Sequence, residues 1–198
     1  MKKHFLIFFV LLLPCLGFCS GSIKINGFWG VKWQLSKGQV INAFSTKPVH
    51  FIKAQNDILY YTGTFAQKNA DIRLKFDQNR FYSAGVIFEN QSGVAVTKLY
   101  KGLLEDLTQK YGEPAENIAL YLTDDIITFD ACDKALIENK GELYSAWQFE
   151  DGNFIKLAVL KDQTDGKTSD LRCCLVYHYA PIEKEIRRRK IRTYLDDL

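Results

Sequence analysis

Asp71-Ile72-Arg73-Leu74-Lys75-Phe76 alternates charged and apolar side chains, and the turn-forming run Asp77-Gln78-Asn79 follows it directly. Side chains alternate between the two faces of a strand, so the three apolar residues share one face. The pattern predicts a half-buried strand whose other face is in water and which ends in a turn. Residues 80–89 then return beside it, as in an antiparallel meander.

Upstream of this hairpin, the sequence predicts a capped helix and a further strand. Ser36-Lys37-Gly38-Gln39 has the capping-box pattern, in which the serine hydroxyl accepts from the glutamine N–H and the glutamine side chain reaches back. Residues 40–44 give this helix an apolar side, and Pro48 ends it. Residues 59–65 form the strand that leads into the meander.

Downstream of the meander, residues 94–111 are the strongest predicted helix. Val96, Leu99 and Leu103 lie on one stripe at helical spacing. Gly112 suits the left-handed residue that commonly ends a helix. This helix therefore has a defined apolar face and a defined end.

The last third of the domain is again rich in strands. The predicted strands are residues 143–149, 154–160 and 171–179. Before them, residues 117–129 predict a strand or a short hairpin, and residues 133–139 predict a brief helix.

Together these elements predict a single α+β domain over residues 22–180. A helix followed by three antiparallel strands occurs twice in it (α-β-β-β twice), with helices covering one face of each sheet. The repeat is one of topology, because the two halves share little at the residue level. Residues 181–198 complete the chain as a basic C-terminal helix or tail.

Residues 1–21 have the three-part layout of a secretory signal peptide. Lys2 and Lys3 form a positive start, residues 5–13 are an unbroken apolar run, and Pro14 ends that run. A membrane-spanning helix needs roughly 20 apolar residues, and this run is shorter. The leader therefore predicts an exported protein, either periplasmic or secreted.

The way in which the leader ends is open. Small residues place signal-peptidase cleavage after Cys19 or after Gly21. Cys19 is also a candidate for lipid modification, as in bacterial lipoproteins, which would anchor the chain to the membrane. An uncleaved anchor is the third alternative. Cleavage and release is the interpretation that we favour.

The net charge of +3 is distributed unevenly along the chain. Lys2 and Lys3 leave with the leader, and residues 182–198 carry a charge of +2, so the body between them is near −1. A nucleic-acid-binding protein carries a basic face on its folded domain. The sequence therefore predicts no nucleic-acid partner.

Three cysteines follow the leader, namely Cys132, Cys173 and Cys174. Export places them in an oxidising compartment, which permits disulfides. Strand alternation over residues 171–177 puts Cys173 on the apolar face and Cys174 on the opposite face. If a disulfide forms, Cys174 is therefore the expected partner of Cys132, and three free thiols are the alternative.

The C-terminal segment is predicted to be a helix that carries a basic cluster. Pro181 suits its first turn. The cluster consists of Arg187, Arg188, Arg189 and Lys190, which could contact anionic lipid headgroups or an acidic partner. A solvated or frayed terminal helix is the alternative.

No catalytic or metal-binding motif is assembled in the sequence. The two histidines after the leader, His50 and His178, stand in no recognisable catalytic motif. On an extended strand, Cys174 and His178 would lie about 13 Å apart, too far to share a zinc ion. The acidic cluster at residues 124–133 lacks the spacing of a calcium loop. The sequence therefore predicts no catalytic residues, metal ligands or cofactor.

Three segments resemble a large group of uncharacterised exported bacterial domains. Residues 28–40 (FWGVKWQLSKGQV) are similar to the start of these domains, where aromatic residues precede a serine-capped helix. Residues 76–82 (FDQNRFY) and 107–114 (LTQKYGEP) are similar to their hairpin and helix-end patterns. The order of capped helix and meander is also similar, at the level of the fold, to envelope lipoproteins of the BamE type. The resemblance implies an α+β envelope domain and supplies no catalytic residues.

Export, an aromatic-rich body and the missing catalytic set predict a non-enzymatic binding or interaction module of the cell envelope. Its partner would be an envelope protein or a small ligand. The alternative is a periplasmic hydrolase whose site assembles only in three dimensions, with His50 or His178 beside a carboxylate or Cys174. An open sheet face lined by exposed aromatic residues would favour binding.

Overall fold

A computed structural model of the chain describes residues 23–89, 93–121, 141–161 and 171–196. The predicted leader (residues 1–21) with Cys19, the predicted brief helix at residues 133–139, and Cys132 lie outside these ranges. Within the described ranges the chain is α+β, as the sequence predicts, with three helices and one large antiparallel sheet.

The described elements follow one another with short connections. The helices are α1 (Lys37–Phe44), α2 (Gly93–Tyr111) and α3 (Ala180–Asp196). The first six strands are β1 (Gly27–Phe28), β2 (Val31–Lys32), β3 (Val49–Gln55), β4 (Ile58–Phe65), β5 (Lys68–Asp77) and β6 (Arg80–Phe88). The remaining strands are β7 (Glu116–Tyr121), β8 (Gly141–Gln148), β9 (Phe154–Lys161) and β10 (Leu171–His178).

Eight of these strands form one antiparallel sheet in the order β3-β4-β5-β6-β10-β9-β8-β7. The first half is a meander of consecutive strands, and so is the second half. The halves meet where β6 pairs with β10, with Ile87 opposite Cys174 and Ser83 opposite His178. We call this pairing the seam. The strands β3 and β7, each of which follows a helix, therefore form the two edges of the sheet.

The number of strands after each helix differs from the prediction of three. Four strands follow α1, and the additional one is β3 at residues 49–55. Six of its seven residues are exposed, so β3 has no buried face and lacks the apolar alternation that predicts a strand. Within the described ranges four strands also follow α2, because the segment for which the sequence predicts a strand or a short hairpin contributes the edge strand β7.

Local sequence signals set the ends of the first two helices. Ser36 and Gln39 form the predicted capping box, in which Gln39 Oε1 accepts from the Ser36 N–H at 2.9 Å. At the end of α2, Gly112 has a φ of +82°, and its N–H donates to the Thr108 carbonyl at 2.9 Å. Both signals act within one turn of chain, which is why the sequence alone reveals them.

The core lies between one face of the sheet and the two helices α1 and α2. Both helices bury apolar side chains there: α1 through Val40 and Phe44, and α2 through Val96 and Leu103. Aromatic rings fill the N-terminal end, where the ring of Phe28 lies 5.5 Å from that of Phe65. Because both helices lie on this side, neither α1 nor α2 covers the other face of the sheet.

The third helix, α3, begins directly after β10 and buries Ala180 and Ile182. Its N-terminus is held by Asn153, whose Oδ1 accepts from the Ala180 N–H at 2.9 Å. Beyond residue 189 all of its described residues are exposed. Among the residues that the structure describes, no helix has the length and apolar character to cross a membrane.

Candidate functional site

The face of the sheet opposite α1 and α2, which we call the outer face, alternates as the sequence of β5 predicts. Ile72, Leu74 and Phe76 are buried against the core. Arg73 and Lys75 lie on the outer face and are exposed. The half-buried strand with one wet face is therefore confirmed. The register of the neighbouring strands extends this alternation to β4, β6, β8, β9 and β10.

One row of outer-face residues crosses all eight strands. We call it the central row, and each of its residues is the Cα partner of the next one on the neighbouring strand. From β3 to β7 the row consists of Lys53, Tyr60, Arg73, Gly85, Val176, Lys156, Ala146 and Glu116. Neighbouring strands lie about 4.8 Å apart, so the row spans roughly 34 Å.

The middle of the outer face is formed by small side chains. Gly85 and Val176 occupy the central row on either side of the seam. A Cβ atom at Gly85 would meet nothing within 4 Å. Longer side chains rise on both sides, from Arg73 on β5 and Lys156 on β9, about 14 Å apart at three strand spacings. We call this arrangement, in which Gly85 and Val176 lie between the longer side chains of Arg73 and Lys156, the trough.

Aromatic rings accompany the cations on both sides of the trough. The Lys156 Nζ lies 4.0 Å from the centre of the Tyr144 ring, and the Lys53 Nζ lies 5.0 Å from that of Tyr60. The Arg73 guanidinium also lies over Tyr60, at 5.9 Å. Such cation–π contacts orient a cation and leave its charge available. Within the described ranges, Lys53, Arg73 and Lys156 form no salt bridge.

A second group of polar residues lies where the outer face meets α3. The His178 ring stacks on Phe154 at 4.8 Å and meets Tyr82 edge-on at 5.5 Å. Its Nε2 lies 2.8 Å from Glu183 Oε2 but is buried without hydrogen-bond geometry to a partner. Burial lowers the pKa of His178, and the charge of Glu183 offsets only part of this effect. The imidazole is therefore neutral at pH 7.

Glu183 is held as a carboxylate. Burial acts to raise its pKa, but the hydrogen bond and the charge of Arg187 keep the pKa below its usual value. Arg187 Nη2 donates to Glu183 Oε1 at 2.8 Å. This ionised carboxylate beside a neutral imidazole links the first turn of α3 to β10.

Of the predicted basic cluster, two members are engaged within the molecule. Arg187 pairs with Glu183, and Arg189 pairs with Asp77 at the end of β5. The hydrogen bond from Arg189 is the main reason that the pKa of Asp77 is lowered. Arg188 and Lys190 are exposed, and neither forms a salt bridge in the described part of the chain. The four cations therefore do not form one uniform patch.

The two described cysteines face opposite sides of the sheet, as the alternation predicts. Cys173 belongs to the core, where burial raises the pKa of its thiol well above the usual range. Cys174 lies on the outer face beside the seam and is also buried. Its predicted partner, Cys132, lies outside the described residues, so the disulfide stays a prediction.

The other sequence candidates lie apart from the trough. His50 is exposed on the edge strand β3, opposite Thr62. In the described ranges, no group of three or more His, Cys, Asp or Glu side chains has a metal-binding arrangement. The acidic cluster at residues 124–133 is outside those ranges.

A groove of about 630 Å³ lies on the other side of the molecule, between the β4–β5 turn and α2. Its lining includes Lys68, Lys98, Glu105 and Asp106, all of which are exposed. Their charges have mixed sign, whereas recognition of a small ligand needs polar groups that converge on one point. The trough is therefore the better candidate for a binding site.

Comparisons of the chain with protein-family models, with curated proteins and with solved structures found no match. The resemblance of residues 28–40 to exported α+β domains therefore stays a prediction. The same holds for the fold-level similarity to BamE-type lipoproteins.

Proposed function

We propose that this chain is an exported envelope protein that binds an acidic partner protein through the outer face of its sheet, without catalysis. The observation that carries the proposal is the central row. It places three cations, which form no salt bridge within the described ranges, and one half-buried tyrosine around a floor of small side chains. A protein surface rich in carboxylates is complementary to this pattern.

The dimensions of the outer face suit a protein better than a small ligand. The central row spans roughly 34 Å, and strands of eight residues are roughly 26 Å long, so the face approaches 900 Å². A standard protein interface covers about 800 Å² on each partner. A floor of glycine and valine lets a partner approach the sheet closely, while Tyr60 and Tyr144 supply amphipathic contact area.

Location in the envelope and the repeated architecture belong to the same proposal. The leader at residues 1–21 supports export, and a lipid on Cys19 would hold the protein at a membrane. We also propose that α1 with β3–β6 and α2 with β7–β10 are two topological copies of one helix-plus-meander unit. Pairing of the two last strands merges two half-faces into one continuous binding face.

The test compares charge reversals on two sides of the molecule. Arg73→Glu with Lys156→Glu reverses the walls of the trough, and Lys24→Glu with Lys98→Glu makes the same change in charge elsewhere. Each purified chain is cross-linked in envelope extract, and partners are quantified by mass spectrometry. We expect an acidic partner that is lost in the first variant, retained in the second and released by salt. Equal recovery by both variants would contradict the proposal.

A periplasmic hydrolase is the second candidate, and the pair of His178 and Glu183 is the observation that favours it. A neutral imidazole beside a carboxylate has the elements of a general base. Ser83 faces His178 across the seam, but it is only 3% exposed, so a substrate has little access to it. A screen of hydrolase substrates distinguishes the two candidate functions. Turnover that is abolished by His178→Gln and preserved by His50→Gln would show that the protein is a hydrolase and would contradict the binding proposal.

A further inference from the structure

We infer that the exposed end of α3 docks onto an anionic membrane surface, independently of the partner proposed for the outer face. Three large apolar side chains at this end point into solvent: Ile191 is 60% exposed, Tyr194 is 65% exposed and Leu195 is 61% exposed. Their spacing of three and four residues places them on one side of the helix. Soluble helices normally bury such a group.

The side of α3 that is buried near its start is opposite to the side that carries the exposed apolar residues near its end. Ile182 is buried against the body, and Ile191 follows it by about two and a half turns, so it points away. The inward side is tied down by the pairs Arg80–Glu185 and Arg189–Asp77. The apolar group is therefore held outward by contacts on the other side of the same helix, and it cannot fold back onto the core.

Cations surround this apolar group. Arg188, Lys190 and Arg192 are exposed, and none of them forms a salt bridge in the described part of the chain. Helices that lie in the membrane interface combine this kind of apolar group with flanking Lys and Arg, which attract anionic lipid. A second copy of the chain fits less well, because the same cations would face one another across a two-fold contact.

The experiment measures partition of the full chain onto vesicles of phosphatidylglycerol mixed with phosphatidylcholine, and onto vesicles of phosphatidylcholine alone. Any contribution of the leader is the same in every variant and cancels. We expect Arg188→Gln with Arg192→Gln to lower the partition coefficient on the anionic vesicles by about tenfold or more. Ile191→Gln with Leu195→Gln should lower it by a similar factor.

Matched controls change the same chemistry elsewhere. Lys24→Gln with Lys98→Gln removes two exposed cations, and Ile23→Gln with Ile41→Gln removes two exposed apolar side chains. Both controls should partition like the unchanged chain. Far-UV circular dichroism verifies that every variant is folded, which is expected because all of these side chains are exposed.

Insertion distinguishes lipid from other occupants. Tyr194→Trp should shift its emission to shorter wavelength with anionic vesicles and stay unshifted with soluble polyglutamate. Equal partition of the α3 variants and their controls would overturn the inference. So would a blue shift with polyglutamate, which indicates an acidic protein, or a dimer that Ile191→Gln with Leu195→Gln converts to a monomer.

Discussion

The hydroxyl groups of Tyr100 and Ser145 meet in the core at 2.6 Å, and both residues are 0% exposed. Tyr100→Phe should lower the free energy of unfolding by about 1–3 kcal/mol, because a buried hydroxyl loses a partner. Urea unfolding followed by circular dichroism measures the change. Tyr194→Phe, at an exposed position, serves as the control, and an equal effect of the two substitutions would contradict the role of this hydrogen bond.

His178 should make the stability of the protein depend on pH. Its pKa is lowered in the folded state, so the unfolded chain takes up a proton first as the pH falls below about 6.5. Stability is therefore present above this pH and decreases as the pH falls through it. Thermal unfolding between pH 7 and 5 should show a smaller decrease for His178→Gln than for His50→Gln. Parallel pH profiles of the two variants would show that His178 is not the responsible group.

Two glycines of the α2 region should respond to alanine with opposite sign. Gly112 has a φ of +82°, which alanine adopts with strain, so Gly112→Ala should destabilise by about 1 kcal/mol. Gly102 lies within the helix with open space around it, so Gly102→Ala should stabilise by up to about 1 kcal/mol. Denaturant midpoints of both variants test this prediction. A stabilising Gly112→Ala would mean that the helix does not end there.

The anchoring of α3 depends on Asp77 more than on other surface carboxylates. Asp77 binds both Arg80 and Arg189 and is only 15% exposed, whereas Asp57 pairs with Lys37 and is 63% exposed. Asp77→Asn should speed amide hydrogen exchange in α3, and Asp57→Asn should leave it unchanged. If both variants exchanged at the same rate, the ion pairs of Asp77 would not hold the helix.

Elements with local signals were predictable, and those defined by distant contacts were not. The helix over residues 94–111 was predicted almost to the residue, because its apolar stripe and Gly112 lie within a few turns of each other. The strand β3 has neither a buried face nor a cap, and only its pairing with β4 defines it. The candidate site is similar: the charges of β5 were visible, but the row from Lys53 to Lys156 exists only once the register of eight strands is known.

The whole molecule should unfold as one cooperative unit. The core is continuous across the seam, since Phe28 in the N-terminal half lies 5.2 Å from Tyr177 on β10. In a Trp147→Phe variant, fluorescence reports on Trp29 and Trp33 of the N-terminal half, while circular dichroism reports on the whole sheet. The two midpoints in urea should coincide. Separate midpoints would indicate that the two meanders are independent domains.

The order of strands across the sheet could not be predicted from the sequence, because it depends on contacts between distant segments of the chain. Each meander follows from short turns, but the choice of β6 and β10 as central neighbours involves segments that are far apart in the chain. No local pattern of residues encodes such a choice, because either edge of a meander offers the same unpaired backbone groups.

The pairing of Ile87 with Cys174 joins segments that are distant in the chain, and this affects the order in which the sheet forms during folding. Closing the long loop between these two residues is entropically unfavourable. Each meander should therefore form from its own hairpins before the two meanders pair. Before the two meanders pair, β6 and β10 are edge strands with unpaired backbone groups and exposed core residues. Strands from other molecules can then pair with them. Mutations that delay the pairing of the two halves should therefore increase the fraction of newly made protein that aggregates, and a chaperone that shields these strands should reduce that fraction.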